Sequence, residues 1–216
     1  MSGANKNPDV SGVTPAPVWF VAAVLPMVIS QIVRLQQTDA GFWVAWDYAG
    51  RIGALTVLAI VPAARTVAFQ KFRLAISWLE VVAWTLAVAL ADRILDGLIW
   101  NTIGPALANT RLATYPITTG WLHAMDIVFG LALVAASEEI LFRRCARHVL
   151  QPHLGSSIAM VVASALLFGA YHWWTGIGNI ISVTLIGVIL MIFYMRSKAL
   201  WPVVTAHYVT NVIAFA

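Results

Sequence analysis

Charged residues are scarce in this chain of 216 residues: Asp, Glu, Lys and Arg make up 10% of it, against 61% hydrophobic residues. Soluble domains carry about 25% charged residues, so this composition lies far outside the soluble class. The single cysteine, Cys145, excludes an internal disulfide. The net charge of +4 is small and its basic residues are scattered, which argues against nucleic acid as a partner. The composition indicates a multi-pass membrane protein embedded in a lipid bilayer.

Seven apolar runs come close to or exceed the length that crosses a bilayer, about 17 to 20 residues. They predict an all-α, polytopic membrane helix bundle with about seven transmembrane helices. The runs cover residues 18–33, 43–64, 76–100, 121–150, 157–174, 179–195 and 200–216. Residues 1–17, rich in Ser, Gly, Asn and Pro, are expected to form a disordered tail. Residues 18–216 are expected to form one domain, whose motif-bearing core is 121–216.

Basic residues fall mainly in one alternate set of the predicted loops, which the positive-inside rule assigns to the cytoplasm. This set holds Lys6, Arg65, Lys71, Arg73, Arg144, Arg147, Arg196 and Lys198, whereas the other set holds chiefly Arg111. The N-terminus is therefore expected on the cytoplasmic side, and we expect the protein in a bacterial inner (cytoplasmic) membrane. The end of the fourth run, 143–148, is expected to leave the hydrocarbon as a basic amphipathic segment.

Two of the three glutamates in the chain, Glu138 and Glu139, lie side by side in an apolar run. A carboxylate inside a bilayer is costly unless it is neutralised, paired or placed in a wet cavity, so it marks a candidate functional site. On a helix, Glu139 and Arg143 are four residues apart and can pair, whereas Glu138 points about 100° away. We expect Arg143 to neutralise Glu139 and to leave Glu138 free for chemistry.

Two further pairs of residues, each containing a histidine, occur in later spans with a spacing of four. Phe168 and His172 form one, and His207 and Asn211 form the other, so the members of each pair share a helix face. A lone histidine on an apolar helix is more often a packed, hydrogen-bonded residue than a catalyst. Two histidines, an asparagine and a carboxylate pair on three different helices favour a catalytic site instead.

Other intramembrane charges have simpler interpretations. Asp47 and Arg51 are four apart and are expected to pair on one helix face. The charged residues of the third run form either a structural polar network or part of a water-filled cavity; they are Glu80, Asp92, Arg93 and Asp96. The arginine beside the two aspartates favours the structural interpretation.

Together, three motifs resemble those of a known family: Glu138-Glu139 followed by Arg143, Phe168 followed by His172, and His207 followed by Asn211. In this order they resemble the CAAX protease and bacteriocin-processing family of intramembrane proteases, also called the Abi family, which includes the type II CAAX prenyl endopeptidases. The resemblance covers residues 126–211. It implies an intramembrane endopeptidase that hydrolyses a peptide bond of a membrane-associated protein or peptide, near its C-terminus.

The resemblance also implies a role for each matching residue. Glu138 matches the general base that activates a water molecule, and His172 matches the histidine that helps to position this water. His207 and Asn211 match the groups that polarise the carbonyl and stabilise the oxyanion. The supporting positions are Glu139, Arg143 and Phe168.

The role of metal stays open at the level of sequence. Glu138, His172 and His207 also make up a possible zinc ligand set. Against zinc, the His-Glu-x-x-His pattern is absent, and Glu138 cannot easily be both ligand and base. A glutamate mechanism without a cofactor is favoured, with zinc as the alternative.

Two other functions are compatible with parts of the sequence. A non-catalytic member of the same fold, acting in bacteriocin immunity or binding a membrane peptide, would tolerate loss of Glu138. A small transporter that uses Glu138, Glu139 and Asp92 as proton carriers is disfavoured because no inverted repeat is visible. In the favoured interpretation the partner is a membrane-anchored or hydrophobic peptide or protein substrate.

Overall fold

The computed structural model describes residues 15–216, a range that holds helices and their connections and no strand. The prediction of an all-helical fold is confirmed. The helices are α1 (Ala16–Arg34), α2 (Ala40–Ile60), α3 (Pro62–Ala68), α4 (Trp78–Thr102), α5 (Gly104–Leu107), α6 (Gly120–Met125), α7 (Leu131–Glu139), α8 (Ala146–Leu154), α9 (Ile158–Tyr171), α10 (Ile177–Ser197) and α11 (Leu200–Phe215). Residues 1–14 of the predicted tail lie outside the described residues, and α1 begins at Ala16.

The apolar helices establish a membrane protein but do not confirm seven spans. Among the described residues, α1 and α10 are each long and apolar enough to cross a bilayer, and α2 with α3 makes a third if this pair, bent by 108°, counts as one span. Pro62 lies at the bend, where a residue without an N–H begins a new helix. α9 and α11 are apolar but have 14 and 16 residues. α4 is long enough but carries several charged residues along its length.

The helix that carries the glutamates is continuous from 120 to 154 but changes its winding twice. α6, α7 and α8 are joined by the π-helical segments Asp126–Gly130 and Ile140–Cys145. π-helical turns are rare and occur frequently at functional sites. The second one begins directly after Glu139, so the widened turn follows the two adjacent glutamates.

The prediction of a basic amphipathic end at 143–148 is wrong for its first two residues. Arg143 and Arg144 are buried, with exposures of 0% and 8%. Arg144 Nη1 donates to the carbonyl oxygens of Ala68 and Gln70 at 2.9 and 2.8 Å. Arg144 therefore fixes the end of α3 to the long helix instead of facing solvent.

The described part of the bundle has three apolar clusters. The first is built by α1, α2, α3, the second π-helical segment and the C-terminal end of α9, and the second by α4, α9, α10 and α11. The third and smallest joins α2 to Trp174. α9 and α10 approach closely at Gly169, where a Cβ would overlap the side chain of Thr184 and lie 3.0 Å from the carbonyl oxygen of Ile180. The small residue before His172 thus lets α10 pack against the segment that carries this histidine.

The start of α4 is fixed by a capping box. Ser77 Oγ accepts a hydrogen bond from the backbone N–H of Glu80 at 3.2 Å, and Glu80 Oε2 accepts one from the N–H of Ser77 at 2.9 Å. Glu80 Oε1 also pairs with Arg196 at 2.9 Å, which ties α4 to the end of α10. These contacts set the position of α4 along one wall of the bundle.

Candidate active site

A cavity of about 390 Å³ lies inside the bundle, and the side chains of the three sequence motifs converge on it. Its lining includes five of the seven predicted site residues: Glu138, Phe168, His172, His207 and Asn211. Three separate helical segments deliver them, namely α7, the C-terminal end of α9, and α11. The two remaining predicted residues, Glu139 and Arg143, are fully buried beside it.

Glu138 presents its two carboxylate oxygens to different partners. Oε1 accepts a hydrogen bond from Arg51 Nη1 at 2.8 Å. Oε2 is buried without a hydrogen-bond partner, and it lies 3.8 Å from His207 Nε2 and 4.0 Å from His172 Nε2. These two separations exceed direct hydrogen-bonding distance. One oxygen of Glu138 is therefore held, and the other faces two imidazole nitrogens.

His207 is oriented by the second glutamate. Its Nδ1 lies 2.8 Å from Glu139 Oε1, and Glu139 Oε2 pairs with Arg143 Nε at 2.9 Å. The predicted pairing of Glu139 with Arg143 is confirmed. Because a carboxylate only accepts, the Nδ1 of His207 carries the proton of this bond. The other ring nitrogen, Nε2, is thereby directed at Glu138.

His172 is oriented by the backbone. It lies just beyond the last residue of α9, and its Nδ1 is 2.9 Å from the carbonyl oxygen of Phe168. The Nδ1 proton is donated to this carbonyl, which leaves Nε2 facing the cavity. Both histidines thus present the same ring nitrogen to the free oxygen of Glu138.

Phe168 separates and supports the polar groups. The guanidinium of Arg143 lies 4.3 Å above its ring, and the rings of His172 and His207 meet it edge to face with centroid distances of 4.9 and 6.0 Å. Cation–π and edge-to-face contacts of this kind are each worth about 0.5–2 kcal/mol. Phe168 therefore fixes both imidazole planes.

Sequence reasoning missed the cation that binds Glu138. The predicted pair of Asp47 and Arg51 is confirmed, with Arg51 Nε 2.8 Å from Asp47 Oδ2. The same guanidinium reaches Glu138 across 87 positions of sequence. The sequence indicated no cationic partner for Glu138, and the structure supplies one in Arg51. The sequence marks Arg51 as notable because it is a charge in an apolar run. It does not show that Arg51 contacts Glu138, because this contact depends on the packing of α2 against α7.

The charges of α4 have a different setting from the one that the sequence favoured. Asp92, Arg93 and Asp96 all line the same cavity as Glu138. Arg93 Nη2 pairs with Asp92 Oδ2 at 2.6 Å, and the Arg93 side chain is 45% exposed. These residues therefore line the cavity, which the sequence left open as the alternative, and two of them also form the expected ion pair.

The residues of the alternative zinc ligand set, Glu138, His172 and His207, are more widely spaced in this structure than the ligands of a bound zinc ion. Across residues 15–216, no group of three His, Cys, Asp or Glu side chains is arranged to hold a metal ion. Tetrahedral zinc with bonds of about 2.0 Å places ligand atoms about 3.3 Å apart. In the structure Glu138 Oε2 lies 3.8 and 4.0 Å from the two imidazole nitrogens. These separations leave room for a water molecule that is hydrogen-bonded to Glu138 and an imidazole nitrogen.

Comparison with known proteins yields one family. Residues 119–213 match the family model described as "Type II CAAX prenyl endopeptidase Rce1-like". The matched segment contains all three motifs and the whole glutamate-bearing helix from Gly120 onward. No curated protein and no solved structure matches the chain significantly. α1, α2 and α4 lie outside the matched segment.

Proposed function

Residues 119–213 carry a domain of the type II CAAX prenyl endopeptidase family, a protease family, and on that premise we propose that this membrane protein is a glutamate-dependent intramembrane endopeptidase. One observation carries the proposal: the free oxygen of Glu138 faces the Nε2 atoms of His172 and His207 inside a cavity. A carboxylate with an unused lone pair beside two imidazoles is equipped to activate water.

We assign Glu138 as the general base. A water molecule at hydrogen-bonding distance, about 2.8 Å, from Glu138 Oε2 can simultaneously reach the Nε2 of His172. Glu138 takes a proton from this water, and the resulting hydroxide attacks the peptide carbonyl. The proton then passes from Glu138 to the departing amine, which breaks the C–N bond. General base catalysis of this kind contributes about 10²–10⁴-fold to a rate.

We assign His207 and Asn211 to the oxyanion. Because His207 donates its Nδ1 proton to Glu139, it can donate from Nε2 only as an imidazolium. Glu139 holds the ring of His207 through Nδ1, and Arg143 in turn pairs with Glu139. Asn211 lies one turn further along α11 on the same cavity and offers an amide N–H. Each such donor is worth about 3–4 kcal/mol of transition-state stabilisation.

The substrate and membrane arrangement follow from the family and the composition. We propose that the substrate is a membrane-anchored or hydrophobic protein or peptide cleaved near its C-terminus. The cavity volume of about 390 Å³ lies within the range of ligand pockets, about 300–1,000 Å³, and suits a short stretch of extended chain. We further propose a bundle of seven spans in a bacterial cytoplasmic membrane, with residues 18–216 as one protease domain and the N-terminus in the cytoplasm.

A cleavage assay in proteoliposomes tests this function. Fluorescence-quenched peptides with a lipidated or apolar C-terminal segment are incubated with wild-type protein, His172→Gln and His153→Gln, and products are identified by mass spectrometry. His153 is exposed and lies on α8, away from the cavity, so it provides a matched histidine control. We expect cleavage by wild type and His153→Gln and a 10–100-fold slower rate for His172→Gln. Peptide binding without any cleavage would favour a non-catalytic member of the fold.

A further inference from the structure

We propose that Arg51 is a positioning residue for the general base, so that the hairpin of α1 and α2, which lies outside the family-matched segment, forms part of the catalytic apparatus. This inference rests on the proposed function, because it gives Arg51 its role through Glu138. The observation is the hydrogen bond from Arg51 Nη1 to Glu138 Oε1 at 2.8 Å. It joins α2 to α7 at the reacting carboxylate.

The guanidinium of Arg51 is fixed in more than one direction. Besides Glu138, Nη1 contacts Ser137 Oγ at 3.1 Å, and Nε donates to Asp47 Oδ2 at 2.8 Å. Arg51 is 4% exposed and Asp47 is 1% exposed. A rigid, planar donor group buried in this way gives its carboxylate partner little rotational freedom.

The contacts of Asp47 extend the chain of charges to α1. Its other oxygen, Oδ1, pairs with Arg34 Nη1. The Arg34 guanidinium lies 4.2 Å from the ring centre of Trp43 and 4.6 Å from that of Trp174. Positive and negative charges therefore alternate along one continuous buried path, which runs from Arg34 through Asp47 and Arg51 to Glu138.

The same α1 helix also holds the segment that follows His172. Gln31 Nε2 donates to the carbonyl oxygen of Tyr171 at 3.0 Å, and Trp173 Nε1 donates to Gln31 Oε1 at 2.8 Å. The residues on both sides of His172 are thus bonded to one side chain of α1. The N-terminal hairpin fixes Glu138 through Arg51 and the turn of His172 through Gln31.

Arg51 also selects which oxygen of Glu138 reacts. Since Oε1 is occupied by Arg51, Oε2 is the oxygen left to face the imidazoles of His172 and His207. On this path the two cations, Arg34 and Arg51, contact the two carboxylates, Asp47 and Glu138. Loss of Arg51 would leave the buried carboxylate of Glu138 without its hydrogen-bonded arginine.

A thermal-stability cycle tests the contact without any substrate. The melting temperatures of wild type, Arg51→Gln, Glu138→Gln and the double variant are measured in detergent. We expect Arg51→Gln to melt well below wild type and the double variant to recover much of the loss, because it removes the uncompensated carboxylate. The control repeats the cycle with Glu139→Gln in place of Glu138→Gln, and its double variant should recover none of the loss in melting temperature. Equal, additive losses in both cycles would overturn the proposal, whether or not the protein is a protease.

An activity profile then separates positioning from a purely structural bond. Removing the positive charge next to Glu138 makes its ionised form less favourable, so the base takes up a proton at higher pH. We therefore expect the acid side of the kcat profile of Arg51→Gln to move to higher pH, and kcat at its optimum to fall about 100-fold with little change in KM. Arg51→Lys should restore part of the rate.

Arg144→Gln is the matched control for this profile, since it removes another buried arginine that does not contact Glu138. It should lower stability and leave the shape of the profile unchanged. An Arg51→Gln profile that coincides with that of Arg144→Gln would overturn the positioning role. Activity that survives Glu138→Gln would instead refute the proposed function, so the two failures are distinguishable.

Discussion

Replacing Glu139 by glutamine removes a charge that two buried partners share. Glu139 Oε2 pairs with Arg143 at 2.9 Å and Oε1 with His207 Nδ1 at 2.8 Å, and the exposures of Glu139 and Arg143 are both 0%. Removing one partner of a buried ion pair costs about 3–5 kcal/mol, because the other charge stays behind without compensation. For a chain of this length, that loss corresponds to a drop of about 10 °C in Tm.

The second variant of this experiment removes the other charge as well. Arg143→Met keeps an apolar side chain beside Phe168, whose ring the Arg143 guanidinium covers at 4.3 Å. Replacing both members of a buried pair by neutral groups is often close to neutral in stability. We therefore expect the double variant Glu139→Gln with Arg143→Met to melt closer to wild type than Glu139→Gln does. A Glu139→Gln protein as stable as wild type would refute the reasoning.

Four further outcomes are expected from the same structure. Gly169→Val should destabilise by about 1–3 kcal/mol because its side chain overlaps Thr184, whereas Gly97→Ala, where a Cβ meets nothing within 4 Å, should stabilise α4 by up to about 1 kcal/mol. Ser77→Ala should lower the free energy of unfolding by about 0.5–2 kcal/mol through loss of its bond to the Glu80 N–H. Chemical denaturation of the three variants measures these changes in stability. Cleavage should persist after exhaustive chelation, and a rate that chelation abolishes and zinc restores would contradict the metal-free mechanism.

Residue spacing in the sequence correctly predicted the side-chain pairs that form within a single helix. Glu139 with Arg143 and Asp47 with Arg51 are pairs four residues apart, and both form as expected. Such pairs depend only on the helical repeat, so they can be read without knowing the fold. The same reasoning identified the three motifs whose side chains meet at the cavity.

Contacts between helices could not be predicted in this way. The bond from Arg51 to Glu138 requires α2 to pack against α7, and no spacing rule connects residues 87 positions apart. The π-helical segment Ile140–Cys145 was also missed, because the apolar pattern of the run gives no sign of a widened turn. Arg144 lies in this segment, and it is buried although the sequence predicted that it would be exposed. The position of the α4 charges beside the cavity was likewise left open, since the sequence does not show where a cavity lies.

The family-matched segment, residues 119–213, depends on the N-terminal hairpin of α1 and α2 for an ordered site. Residues 119–213 supply the reacting groups, whereas α1 and α2 supply the cation on Glu138 and the bonds around His172. Expression of the matched segment by itself should therefore give a protein that lacks the ordered site. The N-terminal helices are part of the proposed protease domain for this physical reason.

The most direct test of the account is the single-turnover cleavage rate of Glu138→Gln relative to wild type, in identical vesicles and buffers. Glutamine has nearly the same shape and can still accept from Arg51, but it cannot take a proton from water. The account predicts a loss of about 10²–10⁴-fold in rate with peptide binding unchanged. A Glu138→Gln protein that cleaves at the wild-type rate would contradict it.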